Sequence, residues 1–202
     1  MIDRERAWVK EALAGNEESF IQLADAYATP VYNLAYRMLG NAAEAEDAAQ
    51  ETFIRVYTRL HTYDPSRKFS SWLLSVASHH CIDRLRRRRN NFVSLDALPP
   101  WKEPAWEGES PAQKVVRKER EETIRRLLDQ LPPDYRLVMV LRYWYDLSYE
   151  EMAEVTGSTV SAIKSRLHRA RLRMAELLTQ ERKQNEQWRP VMGKAQPVAM
   201  GR

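Results

Sequence analysis

One cysteine, Cys81, in 202 residues excludes an internal disulfide, and the four scattered histidines make no zinc-ligand spacing with it. Such usage fits a reducing compartment, so a cytoplasmic protein is expected. No apolar run approaches the roughly 20 residues needed to span a bilayer, which argues against direct membrane insertion. The N-terminus MIDRERAWVKEALAG is charged where a secretory signal would be apolar. Glycine, at six, is scarce, and no glycine-rich phosphate loop is present. No Ser/His/Asp pattern or carboxylate pair suggests chemistry, so neither an enzyme, a metal nor a cofactor is expected. Alternating Val/Ile/Thr runs are absent, whereas apolar residues recur at steps of three and four almost everywhere; the chain reads as all-α.

Charge is abundant and partitioned. Lys plus Arg against Asp plus Glu is 6 to 10 over residues 1–60, 7 to 2 over 61–95, 1 to 4 over 96–113 and 18 to 12 over 114–202. Two basic stretches are separated by an acidic connector. This suits a protein that touches a polyanion at two places and offers another surface to a protein partner.

The periodicity predicts a helix over about 3–14 ending at Gly15, and a second from Asn16 that Pro30 breaks or restarts before it stops at Gly40. NAAE at 41–44 has the form of an N-cap with Glu three residues on, opening a helix through EDAAQETFIRVYTRL. YDPSRK at 63–68 is a turn, followed by a helix over 69–89. Residues 90–113 hold four of the ten prolines and no helical period, and read as a flexible linker. Phe92, Trp101 and Trp106 hint that this linker docks on something. Helices at about 114–130, 133–146, 148–156 and 159–180 follow, with a mobile tail from 181. The organisation is therefore two small helical domains, 1–90 and 114–180, joined by a linker over 91–113 and followed by a tail over 181–202.

In TVSAIKSRLHRARLR, at 159–173, Val160, Ile163, Leu167 and Ala170 share one stripe that Met174 and Leu177 continue. Ser161, Ser165, His168 and Arg169 lie opposite. Just before it, Ser148 and Glu151 form a capping box and Gly157 supplies a turn, which is the shape of a helix-turn-helix. A basic amphipathic helix alone could be a solvated face. The box, the turn glycine and the lack of any acid over 159–173 favour DNA reading, with short polar side chains on base edges and flanking cations on phosphates.

The other basic helix puts Trp72, Val76, His80 or Cys81, and Leu85 near one face, with Ser75, Ser78 and His79 around it, and closes on five arginines. Cations at a helix C-terminus are favoured by the macrodipole, but one or two would suffice. The adjacent turn clusters Tyr63, Phe69 and Trp72 with Asp64 and Ser66, a combination suited to holding unstacked bases. Phe69 and Trp72 fit core packing as well, which makes Tyr63 the better base contact. His79, His80 and Cys81 are consecutive on a helix and point apart, so they cannot converge on one metal ion.

AYRMLGNAAEAEDAAQETFIRVY, KFSSWLLSVASHHCIDRLRRRR, LPPDYRLVMVLRYWYDLSYEEMAEV and TVSAIKSRLHRAR, in this order, resemble bacterial sigma factors of the extracytoplasmic-function (ECF) class of the sigma-70 family. The resemblance implies a dissociable, non-catalytic RNA polymerase subunit that recognises promoters, helps open the strands and serves stress responses. It implies that Asp47, Gln50, Glu51, Phe53 and Arg55 dock on the clamp coiled coil of core polymerase, with Phe53 equally placed for a core role, and that the second domain meets the flap. The minus-ten element would be met by Tyr63, Asp64, Ser66, Phe69, Trp72, Ser75, Ser78, His79, Arg84, Arg86 and Arg87. The minus-thirty-five element would be met by Ser161, Lys164, Ser165, His168 and Arg169, with Arg166 and Arg171 on phosphates. The linker would thread toward the active-site and RNA-exit channels. An anti-sigma factor, often membrane-anchored, would hold the protein inactive. Family members usually carry Asn at the position of His79 and often Arg at that of Ser75, which leaves the minus-ten preference open. The rival reading is an autonomous regulator with an N-terminal sensing domain, but that domain shows a second basic helix rather than a ligand pocket; a metal enzyme lacks a ligand set.

Overall fold

The computed structural model describes residues 2–90 and 111–192, and every regular element among them is helical. The N-terminal half holds α1 (Ile2–Leu13), α2 (Glu17–Leu39), α3 (Ala42–Arg59), a 3-10 turn (Leu60–Thr62) and α4 (Phe69–Asn90). The C-terminal half holds α5 (Pro111–Asp129), α6 (Pro133–Tyr143), α7 (Tyr149–Thr156) and α8 (Val160–Met192).

Local chemistry sets most of the boundaries. Asn16 caps α2 by accepting from the Ser19 amide at 3.1 Å, and Asn41 caps α3 by accepting from the Glu44 amide at 3.0 Å. Gly40 ends α2 at φ +74°, where its N–H reaches the Tyr36 carbonyl and a side chain would be strained. Pro133 occupies the first turn of α6, where its missing donor costs nothing. That helix stops at Tyr143 rather than near 146, and Asp146 then turns the chain at φ +47°.

Three expectations change. Pro30 neither breaks nor restarts its helix: α2 runs through it unbroken. Proline inside a helix costs about 3 kcal/mol. Burial of Leu23, Val31, Leu34 and Met38, each at most 1% exposed, outweighs this at about 1.5–3 kcal/mol per side chain. α8 continues to Met192, well past 180, because no glycine or proline interrupts residues 178–189 and Glu181 pairs with Arg126 at 2.9 Å. α5 begins at Pro111, inside the stretch expected to be linker. The docking expected of Phe92, Trp101 and Trp106, and the tail beyond 192, lie outside the described residues.

The two halves pack directly on one another. α4 lies against α6 and α7, and α2 against α5 and α6, so one apolar core runs through both. Arg136 of α6 joins them: its guanidinium donates to the Met38 carbonyl at the end of α2 and to the Asp129 carbonyl at 2.7 Å, and it pairs with the Asp129 carboxylate at 2.9 Å. Arg88 of α4 donates to the neighbouring Leu39 carbonyl at 3.3 Å. Two cations therefore satisfy the exposed carbonyls at the C-terminus of α2. Tyr145 adds a hydrogen bond to the Pro30 carbonyl.

Candidate nucleic-acid interface

The second basic region is a helix-turn-helix. Ser148 accepts from the Glu151 amide at 3.1 Å while the Glu151 carboxylate accepts from the Ser148 amide at 2.9 Å, closing the capping box at the start of α7. Gly157 makes the turn at φ +62°, and Thr159 accepts from the Ala162 amide at 3.2 Å to open α8. Ile163, Leu167, Ala170 and Leu177 seat α8 in the core, leaving Ser161, Lys164, Ser165, His168, Arg169 and Arg171 exposed on the far side.

Those exposed groups are ordered without being tied down. Arg169 donates to Ser165 Oγ at 2.7 Å, which places both at one point of the reading face. Arg171 donates to the Tyr143 hydroxyl at 2.9 Å, and Lys164 lies 5.5 Å over the Tyr149 ring. Arg166 is different: it is half-buried and turned back toward Ser158 Oγ at 3.4 Å, in a crevice shared with α4.

The first basic region is ordered around an aromatic cluster. The Tyr63 ring lies 5.5 Å from Phe69 and 5.3 Å from Trp72, and Tyr27 packs 5.6 Å from Phe69. Tyr63 and Phe69, expected on the base-reading surface, are in the core at 8% and 3% exposure. The Tyr63 hydroxyl donates to the Arg67 carbonyl, so this residue shapes the turn instead of meeting a base. Burial raises its phenol pKa. Trp72 is half-buried.

Asp64 and Ser66 are exposed, and Asp64 accepts from the Ser66 amide at 2.9 Å, an Asx turn whose hydrogen bonds hold the carboxyl below its usual range. His79 is exposed with Nδ1 2.7 Å from the Ser75 carbonyl and 3.3 Å from its hydroxyl, which couples the two residues. Ser78 is only 1% exposed, turned into the junction and not toward solvent. Arg84 pairs with Asp47 at 3.7 Å, Arg86 with Asp134 at 3.9 Å, and Arg87 is exposed.

α3 buries Ala45, Ala48, Thr52 and Val56 and turns a different chemistry outward. Asp47 and Gln50 are exposed, Glu51 pairs with Arg55 at 2.9 Å, and Phe53 is half-buried against the core. Ile54 and Tyr57 are 59% and 50% exposed. Neither was singled out by sequence reasoning, although their spacing off the buried 45/48/52/56 stripe places them outward.

The bridging residues were missed for another reason. Arg136 to Met38, Arg86 to Asp134, Tyr145 to Pro30 and Lys68 to Glu151 at 2.6 Å join positions far apart in the chain, and no local pattern marks these pairings. Among the described residues no His, Cys, Asp or Glu group could hold a metal ion, and no helix is long and apolar enough to cross a membrane.

Comparison with known proteins agrees with this geometry. The family model described as Sigma-70 region 2 matches residues 23–91, and that described as Sigma-70, region 4 matches residues 121–174. The chain is 37% identical over 169 residues to the ECF RNA polymerase sigma factor SigW of Bacillus subtilis, covering 81% of this chain and 90% of that protein. It is 34% identical to ECF RNA polymerase sigma factor SigE of Mycolicibacterium smegmatis, over 84% of this chain and 65% of that one. Among solved structures, CnrH in complex with the cytosolic domain of CnrY superposes with a TM-score of 0.64 at 25% identity, over 87% of this chain and 97% of that chain. The sigma factor RpoE of Bartonella quintana, solved with the anti-sigma factor NepR, shares the fold with a TM-score of 0.61 at 23% identity, over 80% and 98%. A basic helix beside an aromatic turn, packed on a helix-turn-helix and matched by both sigma-70 regions, places the chain in the ECF class of RNA polymerase sigma factors, the subunits that give core polymerase its promoters.

Proposed function

We propose that α4 with its preceding turn grips the minus-ten element, that the N-terminal part of α8 reads the minus-thirty-five element, and that the outer face of α3 docks on core polymerase. The observation that carries this assignment is the separation of surfaces: Lys164, Ser165, His168 and Arg169 are exposed on one helix, His79 and Arg87 on another, and Asp47, Gln50, Ile54 and Tyr57 on a third. Arg169 with Ser165 supplies donors for a base edge, and Arg171 a phosphate contact. On α4, Trp72 and the Ser75–His79 pair are the base contacts, with Tyr63 and Phe69 as the aromatic floor that sets their position. Asp47, Gln50, Glu51 and Arg55, joined by Ile54 and Tyr57, form the clamp contact. The acidic excess of residues 1–60, 6 basic against 10 acidic, suits a protein partner rather than DNA.

The protein catalyses nothing itself and acts in the cytoplasm. Its domains are read as residues 1–90 and a C-terminal unit that begins with α5 at Pro111 and runs through α8, with the segment between them as linker. An anti-sigma factor is inferred as its regulator; family membership and the partner with which the RpoE relative was solved support this.

Purified core polymerase supplemented with this protein is expected to start transcripts at discrete promoters on genomic DNA, whereas the protein alone binds duplex DNA weakly. Tight sequence-specific binding without polymerase, combined with no transcript in its presence, would overturn the assignment in favour of an autonomous regulator.

A further inference from the structure

His79 stands on the surface of α4 with one edge of its ring already committed. Its Nδ1 lies 2.7 Å from the Ser75 carbonyl and 3.3 Å from the Ser75 hydroxyl. A carbonyl only accepts, so Nδ1 carries the hydrogen and donates it. In the neutral ring that choice fixes the other nitrogen: Nε2 holds a bare lone pair and can only accept. Among the described residues no hydrogen bond reaches Nε2, and the residue is exposed. Its neighbours Ala77, Ser78 and His80 are at most 8% exposed, which fixes the rotation of the helix and keeps the ring on the surface. Trp72 lies seven residues earlier, about 10 Å along the helix, so the base that His79 meets is not the one on Trp72.

We propose that His79 selects, at one position of the minus-ten element, a base whose major-groove edge carries an amino group: adenine through N6 or cytosine through N4. The proposal rests on the reading of α4 as the minus-ten grip. An adenine or cytosine amino group donates a hydrogen to the Nε2 lone pair, whereas guanine O6 and thymine O4 set a second lone pair against it. Ser75 acts at one remove: its carbonyl chooses the tautomer, and the tautomer chooses the class of base. A side-chain amide at this position would offer a donor and an acceptor on one group and would not impose that choice. One hydrogen bond made or lost sets the scale of the preference, about threefold to tenfold.

The test uses the full chain with core polymerase. A promoter library keeps the minus-thirty-five block of one mapped start and randomises the minus-ten block, and the transcribed templates are sequenced. For the parent, one position is expected to favour adenine or cytosine over guanine and thymine by about threefold to tenfold. His79→Ala should flatten that position alone, and His79→Lys, which offers only donors, should turn it toward guanine or thymine. A template whose favoured base is replaced there by an analogue lacking the amino group should lose the same factor. Apart from activity, heteronuclear NMR of the histidine rings should find Nδ1 of His79 protonated and Nε2 bare, the signal being assigned by its loss in His79→Gln. A preference for guanine or thymine where His79→Ala acts, a minus-ten profile unchanged by His79→Ala, or a hydrogen on Nε2 would overturn the selection by His79 while leaving α4 as the grip. No transcript from the parent at any template would sink the reading beneath it.

Discussion

Replacing Arg136 by alanine is expected to loosen the joint between the two halves. The side chain is 5% exposed and serves two carbonyls, Met38 and Asp129, together with the Asp129 carboxylate at 2.9 Å. Breaking a buried pair by removing one partner costs about 3–5 kcal/mol. The Asp129 side chain keeps 40% of its exposure, so water takes over part of the lost solvation and the expected cost falls at the lower end, about 3 kcal/mol. For a chain of this size that lowers Tm by roughly 6–12 °C. Because Arg136 joins α6 to the end of α2, calorimetry of the variant should also resolve two transitions where the parent shows one. Arg136→Lys keeps the charge but loses the fork that reaches two carbonyls, and should fall between. A single transition within about 1 °C of the parent would refute the reasoning, since the contact would then carry neither stability nor coupling.

Arg169→Ala removes an exposed side chain, so Tm should hold while transcription from promoters that depend on the minus-thirty-five element falls by an amount equivalent to about 1–3 kcal/mol; an unchanged promoter profile in run-off assays would remove Arg169 from the reading face. His80 is buried with Nε2 unpartnered, and burial, then Arg55 and Arg84, hold its pKa below 6.5. The folded state therefore resists a proton that the unfolded chain accepts: this contribution to stability is complete above pH 6.5 and is lost as pH falls from there toward the lowered folded value. Thermal melts at about pH 7.5 and about pH 5.5 should show a smaller pH effect in His80→Gln than in the parent, and parallel curves would contradict the assignment. Gly40→Ala should cost about 1–2 kcal/mol from the left-handed backbone, and more because a Cβ there lies 3.1 Å from Asp129 Oδ1; an unchanged Tm would show that the joint is slack.

The helix-turn-helix was legible because its determinants are local. Ser148, Glu151 and Gly157 lie within ten residues, and a capping box and a left-handed turn are decided by neighbours. The helix start at Asn16, the cap at Asn41 and the stop at Gly40 were legible for the same reason. Pro30 misled because its penalty is local whereas the burial that offsets it comes from other helices. Tyr63 misled because a turn aromatic beside polar residues looks exposed until Tyr27, Phe69 and Trp72 are seen to enclose it. The inward turn of Ser78 and Arg166 follows from the packing of one half on the other. Arg136 and Met38 are 98 residues apart, and nothing in either segment announces the other. The family resemblance, in contrast, rests on four local motifs in order, so it survives these misplacements.

The most direct test of the central claim is to map transcript starts genome-wide after the protein is overproduced. A polymerase subunit with two DNA grips predicts starts that share two short sequence blocks at a fixed spacing upstream, with Arg169→Ala blurring only the farther block. Starts that share a single symmetric operator, or no common element at all, would contradict it.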